Sequence, residues 1–273
     1  MKPLLNWRDP AIVNIYDEVC LWSAPFGLLM LEQIPMRGIQ AALDLGFGTG
    51  FPLIELAQRL GPNATVYGMD LWPEAIARTR EKQGLLNLTN IQIMEGQASH
   101  IPLQSNSVDL VTSNLGINNF DQKERVYQEV ARVLKKGGHL CLTTNPTGTF
   151  AELYKLMLLT AQELGWTDVY KSLEADIHRR STQELIIKEI EDQGFNLATS
   201  VTGTHSYRFA AAEGVLDHSI MRIAFRAGWE EIVGTARWPS FYQLLLEKIQ
   251  AKIRLMGSFT LKVPLLYLDF IHA

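Results

Sequence analysis

The feature that most constrains this chain is a short apolar run, acidic near its end, that leads into three glycines at alternate positions. The run is Ala41–Leu45, and Gly46, Gly48 and Gly50 follow it. This order is typical of a buried parallel strand, a tight turn without side chains and the N-terminus of a helix. A second apolar run ends at Asp70, where a carboxylate can accept hydrogen bonds from ribose hydroxyls. Together they predict a nucleoside site at the carboxyl edge of an open α/β sheet.

The glycine spacing distinguishes this site from a dinucleotide site. The dinucleotide fingerprint is Gly-x-Gly-x-x-Gly, whose third glycine allows close packing of helix and strand. Here the third glycine is Gly50, and the bulky Phe51 occupies the position where the fingerprint has glycine. Asp44 lies at the entrance to the turn, where its carboxylate would repel a diphosphate. The same carboxylate suits a ligand that carries an ammonium or sulfonium cation.

These residues resemble a known family. The segment Asp44–Gly50 looks like motif I of the class I S-adenosylmethionine-dependent methyltransferases, in the branch that includes the ubiquinone and menaquinone biosynthesis enzymes. Asp70 matches the ribose-binding acid of that family. The resemblance covers roughly residues 38–145 in the expected order, and its later parts are Ile93–Ala98, Ile101–Leu103, Ser107–Asn114 and Val133–Leu142.

The resemblance implies a fold, a cofactor and a set of binding positions. The fold is α/β, a doubly wound, mostly parallel seven-stranded sheet of the Rossmann-like methyltransferase type. The cofactor is S-adenosyl-L-methionine and the product is S-adenosyl-L-homocysteine. Family members carry an acid after the third strand, where this chain has Gln97, whose carbonyl can still accept from the adenine amino group. The implied cofactor positions are Asp44, Gly46, Phe47, Gly48, Gly50, Asp70, Leu71, Gln97, Ala98, Asn114 and Leu115.

The first 40 residues precede the first strand and form a predicted helical lid segment. Asp9 is expected to cap a helix that begins at Pro10. Tyr16, Trp22 and Phe26 either close over the cofactor or attach this segment to the core. We count Tyr16 and Phe26 among the cofactor-binding candidates.

Residues 1–273 are expected to form a single methyltransferase domain, which includes this N-terminal segment and has helical insertions at 146–180 and 210–257 that form a substrate cap. Alternating strands and helices up to about residue 144 predict right-handed crossovers and a parallel sheet. Beyond it we expect a strand over 195–209, helices near 211–227 and 239–255, and a final strand from residue 259. Inserted helices at this edge commonly build a substrate cap.

Methyl transfer from a sulfonium is an in-line displacement, so the main requirement is alignment of the acceptor with the methyl group. A general base is needed only if the acceptor is protonated. The candidates for a catalytic role are Asn114, which follows the fourth strand, and His205 and Tyr207 on the sixth. The alternative roles are a turn or helix cap for the asparagine and ordinary strand packing for the other two. No histidine pair has metal-ligand spacing, so no metal is expected.

Composition narrows the function classes. The net charge of −4 and the pI near 5.9 argue against a nucleic-acid partner. Two cysteines allow neither a disulfide framework nor a zinc cluster, and they disfavour thiol-dependent arsenite methylation. We expect a cytoplasmic enzyme without a membrane span, acting on a small-molecule acceptor. The apolar face of Leu244, Leu245, Ile249 and Ile253 could also serve a homodimer.

Other functions stay open at this point. One is an NAD(P)-dependent oxidoreductase, which the glycine spacing opposes. Another is a non-catalytic nucleoside-binding module, which the intact Asp44, glycines and Asp70 oppose. A nucleic-acid methyltransferase would carry a Pro-Pro-aromatic motif after strand four, where Leu115-Gly116-Ile117 stands instead.

Overall fold

The structure is a computed structural model that describes residues 1, 4–6, 9–18 and 22–273. Seven strands form one sheet in the order β3-β2-β1-β4-β5-β7-β6. The elements are α1 Pro10–Glu18, α2 Ala24–Gln33, β1 Ala41–Leu45, α3 Leu53–Leu60, β2 Thr65–Asp70, α4 Pro73–Leu85, β3 Ile91–Glu95, β4 Val108–Asn114, a 3₁₀ turn Gly116–Asn119, α5 Lys123–Val133, β5 Leu134–Thr144, α6 Ala151–Glu163, α7 Thr167–His178, α8 Gln183–Glu191, β6 Phe195–Phe209, α9 Ala212–Leu216, α10 Ser219–Ala224, α11 Arg226–Val233, α12 Trp238–Met256 and β7 Phe259–His272.

The chain divides into two compact units. The sheet unit comprises Val13–Thr144, Gln183–Gly203 and Leu265–Ala273, and the helical unit comprises Met1–Ile12, Asn145–Thr182 and Thr204–Pro264. In the sheet unit β1 pairs in parallel with β2 and β4, and the parallel pairing continues to β3 and β5. Strand β7 is antiparallel to β5. The predicted doubly wound, mostly parallel sheet is confirmed.

Burial of both faces of the sheet explains why the strand sequences consist mainly of apolar residues. Both faces of the sheet are covered: one core contains Leu43, Val111 and Leu268, and the other contains Ala42, Leu110 and Tyr267. Successive residues of one strand therefore enter opposite cores, as expected for a parallel sheet between helices.

The N-terminal helix begins as predicted. The Asp9 side chain caps it, because its Oδ1 accepts from the Ala11 backbone N–H at 2.9 Å.

One helix prediction was wrong. The segment expected as a helix near 211–227 consists of three short helices that extend to Val233. The chain breaks at His218, whose Nδ1 accepts from the Ile220 N–H at 3.3 Å and starts α10, and again at Phe225. The helix expected near 239–255 is α12, which Gly257 ends in a left-handed conformation (φ 78°).

A buried ion cluster stabilises the helical unit. Arg226 is 2% exposed and pairs with Asp217 at 3.1 Å and Glu230 at 2.8 Å. Its guanidinium also lies 5.8 Å from the Trp238 ring centroid and 5.6 Å from that of Tyr242. All five residues belong to the three-helix region and α12.

We therefore expect Arg226→Met to lower the free energy of unfolding by about 3 kcal/mol, because it leaves two buried carboxylates without their cation. Denaturant unfolding followed by tryptophan fluorescence measures the change. Arg254→Met, at an exposed position of α12, is the control and should stay within about 0.5 kcal/mol of the wild type. Equal stability of the two variants would contradict this account of the cluster.

Candidate functional site

The glycine turn after β1 requires its glycines. Gly46, Gly48 and Gly50 have φ values of 77°, 54° and 104°, all in the left-handed region. A Cβ at Gly50 would come within 2.8 Å of Ile54 Cδ1, and a Cβ at Gly46 within 3.2 Å of the Gly116 backbone. The turn therefore presents main chain, without side chains, at the carboxyl end of the strand.

Asp44 is the most unusual side chain of this edge. It is 0% exposed, and its Oδ1 accepts from Thr112 Oγ1 at 2.8 Å. Its Oδ2 is buried and has no hydrogen-bond partner among the residues the structure describes. Burial raises the pKa of this carboxyl to about 7, and the nearby Asp70 adds to the rise, although the Thr112 hydrogen bond opposes it. A buried carboxylate oxygen without a partner is costly, and a cation placed against it would relieve that cost.

Asp70 closes the other side of the turn. Its Oδ2 accepts from the Gly48 N–H at 2.7 Å, and its Oδ1 accepts from the N–H groups of Leu71 at 2.7 Å and Trp72 at 2.9 Å. Burial raises the pKa of Asp70, and these backbone bonds lower it in part. A carboxylate offers about four acceptor positions, so about one, on Oδ2, stays available to a ligand hydroxyl.

Helix α1 is tied to the glycine turn through α4. Asp17 pairs with Arg78 at 3.0 Å and with Lys82, whose Nζ also donates to the Thr49 carbonyl at 2.9 Å. Although burial raises it, the hydrogen bonds from Lys82 and Arg78 hold the pKa of Asp17 below its ordinary value. Thr79 of α4 donates to the Gly48 carbonyl at 3.1 Å. The predicted lid segment is thus anchored at the candidate site.

The aromatic residues of that segment have partners in the sheet unit. Tyr16 is half-buried and meets Trp72 edge-on, with 5.4 Å between the ring centroids. Phe26 is 1% exposed and lies against Trp22 at 6.0 Å. Tyr16 therefore lies next to the loop after β2, whereas Phe26 is a core side chain of α2.

The segment after β4 is tightly constrained. The Asn114 amide donates to the Ser23 carbonyl at 3.2 Å, and its Oδ1 accepts from Thr143 Oγ1 at 2.7 Å. Leu115 is left-handed (φ 64°), which is strained for a residue with a side chain. A Cβ at Gly116 would lie 2.7 Å from the Leu45 carbonyl, so these two loops are in backbone contact.

The loop after β3 is held from α5. Glu129 accepts from the Ile101 N–H at 2.8 Å, and Arg132 donates to the carbonyls of Ile101 and Leu103, each at 2.7 Å. The hydrogen bond from Arg132 is the main cause that lowers the pKa of Glu129 to about 2. The Glu129–Arg132 pair, which clamps this loop, is therefore charged at neutral pH. Gln97 at the start of this loop is exposed.

The remaining predicted positions differ in accessibility. Phe47 is 1% exposed and packs in the core beside Gly68, so it can offer a ligand only its backbone. Leu71 is 60% exposed. Ala98 is partly buried against the core.

The other catalytic candidates belong to the helical unit. His205 and Tyr207 lie on one face of β6, with 4.7 Å between their ring centroids, and His218 lies 6.3 Å from Tyr207. Burial lowers the pKa of His205 and of His218 and raises the pKa of Tyr207. Both imidazoles are therefore neutral at pH 7 and able to accept a proton.

Sequence reasoning missed Thr112, Lys82 and Trp72. Thr112 reaches Asp44 because β4 lies beside β1 in a register that pairs these two residues. The sequence of either strand alone does not predict which residues of the two strands are paired. Trp72 had a signal, since it follows Asp70 by two residues.

Among the described residues, no group of three His, Cys, Asp or Glu side chains could hold a metal ion. In the same part of the chain, no helix is long and apolar enough to cross a membrane.

The burial of Asp44 generates a stability prediction. A carboxyl whose pKa is raised in the folded protein contributes stability below its unfolded pKa near 4, and this is lost as pH rises toward 7. Asp44→Asn keeps the acceptor for Thr112 but cannot ionise. We expect this variant, without ligand, to be more stable than the wild type by about 3 kcal/mol at pH 8, with the gain vanishing toward pH 4.

Unfolding measured at several pH values tests this sign. The matched control is Asp109→Asn, on β4. Burial raises the pKa of Asp109, but its bonds to Lys135 and to the Ala41 and Gln40 N–H groups lower it overall. That variant should be destabilised at pH 8. If the Asp44→Asn variant were less stable than the wild type at pH 8, burial of the ionised Asp44 carboxylate would not destabilise the folded protein.

Several known proteins resemble this chain in sequence. The family profile that matches residues 40–214 is described as a methyltransferase domain. The chain is 36% identical over 104 residues to an arsenite methyltransferase of Halobacterium salinarum, which is 38% of this chain and 27% of that protein. It is 32% identical over 173 residues to a demethylmenaquinone methyltransferase of Lactobacillus johnsonii, which is 60% of this chain and 71% of the relative.

A solved structure agrees in fold. A SAM-dependent methyltransferase from Aquifex aeolicus superposes with a TM-score of 0.55 at 19% identity, over 71% of this chain and 92% of that one.

Proposed function

The chain belongs to the methyltransferase domain family, and from that premise we propose that it transfers the methyl group of S-adenosylmethionine to a small-molecule acceptor by in-line displacement. The observation that carries the proposal is the buried Oδ2 of Asp44, which has no hydrogen-bond partner among the described residues and lies beside a glycine turn. The part of the chain that matches the arsenite methyltransferase is only about a quarter of that relative, so the acceptor does not follow from the resemblance.

In this proposal Asp44 faces the cationic methionine end of the cofactor. The cation would satisfy Oδ2 and keep the carboxyl ionised, since an opposite charge lowers a carboxyl pKa. A diphosphate in the same place would add negative charge beside Asp44 and Asp70. This is why the NAD(P)-dependent alternative is not favoured.

Asp70 would receive one ribose hydroxyl at its available acceptor position. A second hydroxyl would have to displace one of the three backbone N–H groups. Gln97 and the Ala98 N–H would meet the adenine, and the Glu129–Arg132 clamp would position that loop.

The N-terminal segment would cover the cofactor through Tyr16, which is held in place by the Asp17 anchor. Phe26 would support this cover from the core. Phe47 and Leu71 would contribute backbone at the turn and at the loop after β2.

Methyl transfer requires little catalysis by protein side chains, because the sulfonium already carries a good neutral leaving group. When bound, the cofactor supplies the methyl group. Asn114 would orient the segment after β4, which would face the reacting atoms. Its side-chain amide hydrogen-bonds to Ser23, just before α2, and to Thr143 of β5. His205 and Tyr207 stay candidates for removing a proton from an acceptor that needs it. With only two cysteines in the chain, a thiol-dependent acceptor such as arsenite is disfavoured.

Calorimetry with S-adenosylhomocysteine tests the cofactor assignment. At pH 8 we expect Asp44→Asn to weaken binding at least tenfold, because it removes a charge-assisted contact to the ligand ammonium. Asp109→Asn, which lies away from the turn, is the control and should bind as the wild type does, apart from its lower stability. Binding of NADH in place of S-adenosylhomocysteine would sink the proposal.

The ribose contact has its own test, which separates it from loosening of the turn. The wild type should prefer S-adenosylhomocysteine over its 2′,3′-dideoxy analogue by about 10- to 100-fold, the value of a hydrogen bond to a charged group. In Asp70→Asn this preference should shrink to within a few-fold while the analogue itself still binds. An unchanged preference would place the ribose elsewhere.

A further inference from the structure

The helical unit contains a pocket between α6 and α7. Its volume is about 190 Å³, and its walls include Tyr154 and Leu158 of α6 and Asp176 and Ile177 of α7. Lys155 and Arg180 also line it. A cavity of about 150 Å³ in another protein accepts a benzene ring, so this pocket has room for a ligand of that size.

The negative groups of the pocket are already engaged. Asp176 accepts from Tyr154 Oη at 2.5 Å through one oxygen and pairs with Arg179 at 3.2 Å through the other. Tyr154 Oη in turn accepts from the Trp229 indole N–H at 3.2 Å. Burial and the bond to Asp176 raise the pKa of Tyr154 to about 12, so the phenol stays neutral. This network supplies no further charge to a ligand.

The positive groups of the pocket form no ion pair at contact distance with the described residues. Arg180 is half-buried, and among the described residues no carboxylate lies within ion-pair distance of its guanidinium. Lys155 at the rim is exposed and likewise forms no ion pair in the described part of the chain. Burial lowers the pKa of Arg180, although an arginine stays charged. The lining side chains carry two positive charges, on Lys155 and Arg180, and one negative charge on Asp176, which also attracts Arg180, so the pocket has a net positive charge next to apolar walls.

We propose that this pocket binds a small apolar monocarboxylate, with its carboxylate on the Arg180 guanidinium and its hydrocarbon body against Leu158 and Ile177. The planar guanidinium matches a carboxylate through two parallel hydrogen bonds. A dianion such as phosphate fits less well, because the Asp176 carboxylate forms part of the wall and the side chains of Leu158 and Ile177 make much of it apolar. The inference goes beyond the proposed methyl transfer and requires no cofactor.

Titration of the full-length protein with benzoate, without cofactor, tests it. We expect saturable 1:1 binding that Arg180→Met weakens at least tenfold. Arg254→Met, which removes the same charge from an exposed site of α12, should leave the affinity within twofold. Benzamide, the neutral analogue of benzoate, should bind at least tenfold more weakly than benzoate.

A second variant guards against a folding defect. Leu158→Trp keeps every charge but fills the pocket, and it should also abolish benzoate binding. Both variants should retain the wild-type affinity for S-adenosylhomocysteine, which separates failure here from failure of the proposed function. Absence of saturable benzoate binding up to its solubility limit, or equal affinity of Arg180→Met and Arg254→Met, would overturn the proposal.

Discussion

The candidate site depends on the buried carboxylate of Asp44, in which only one of the two oxygens has a hydrogen-bond partner among the described residues. Asp44 uses Oδ1 for Thr112 and has no described partner for Oδ2. Folding has to hold this group in a fully buried position, which costs stability whenever it is ionised. A protein keeps such a group when a ligand compensates for it. In the proposed function the ligand that faces Asp44 is a cation, and this would distinguish the turn from strand–glycine–helix turns that bind diphosphates.

The surroundings of Asp44 keep that oxygen in place. The strand pairing with β4 brings Thr112 to Asp44, and Asp70 holds the Gly48 N–H on the far side of the turn. Lys82 joins the Thr49 carbonyl to Asp17 of α1. The side chains of Asp70 and Lys82 therefore fix the backbone of the turn, and the side chain of Thr112 fixes Asp44. A ligand that binds there meets a preformed surface and loses little affinity to its ordering.

Local patterns predicted much of this arrangement. The apolar strands, the glycines and Asp70 can be predicted because each belongs to a local sequence pattern. The mostly parallel, seven-stranded sheet follows from the family resemblance. Thr112 and the Asp17–Lys82 anchor were not predictable, since they depend on register and on helix packing across many residues. The three short helices before α12 were read as one because His218 acts as a cap, a role seldom assigned to histidine. Phe47 lies in the glycine turn, and the burial of its side chain follows from the tertiary fold, which the local sequence pattern does not reveal.

Without ligand the Asp44 carboxyl is mostly protonated below pH 7, and in the proposed function it ionises once the cofactor cation is bound. Calorimetric titration with S-adenosylmethionine at pH 6, in two buffers of different ionisation enthalpy, measures the protons released on binding. The account predicts that close to one proton leaves per cofactor bound, and that Asp44→Asn releases almost none. Binding without proton release, or equal release by the two proteins, would contradict it.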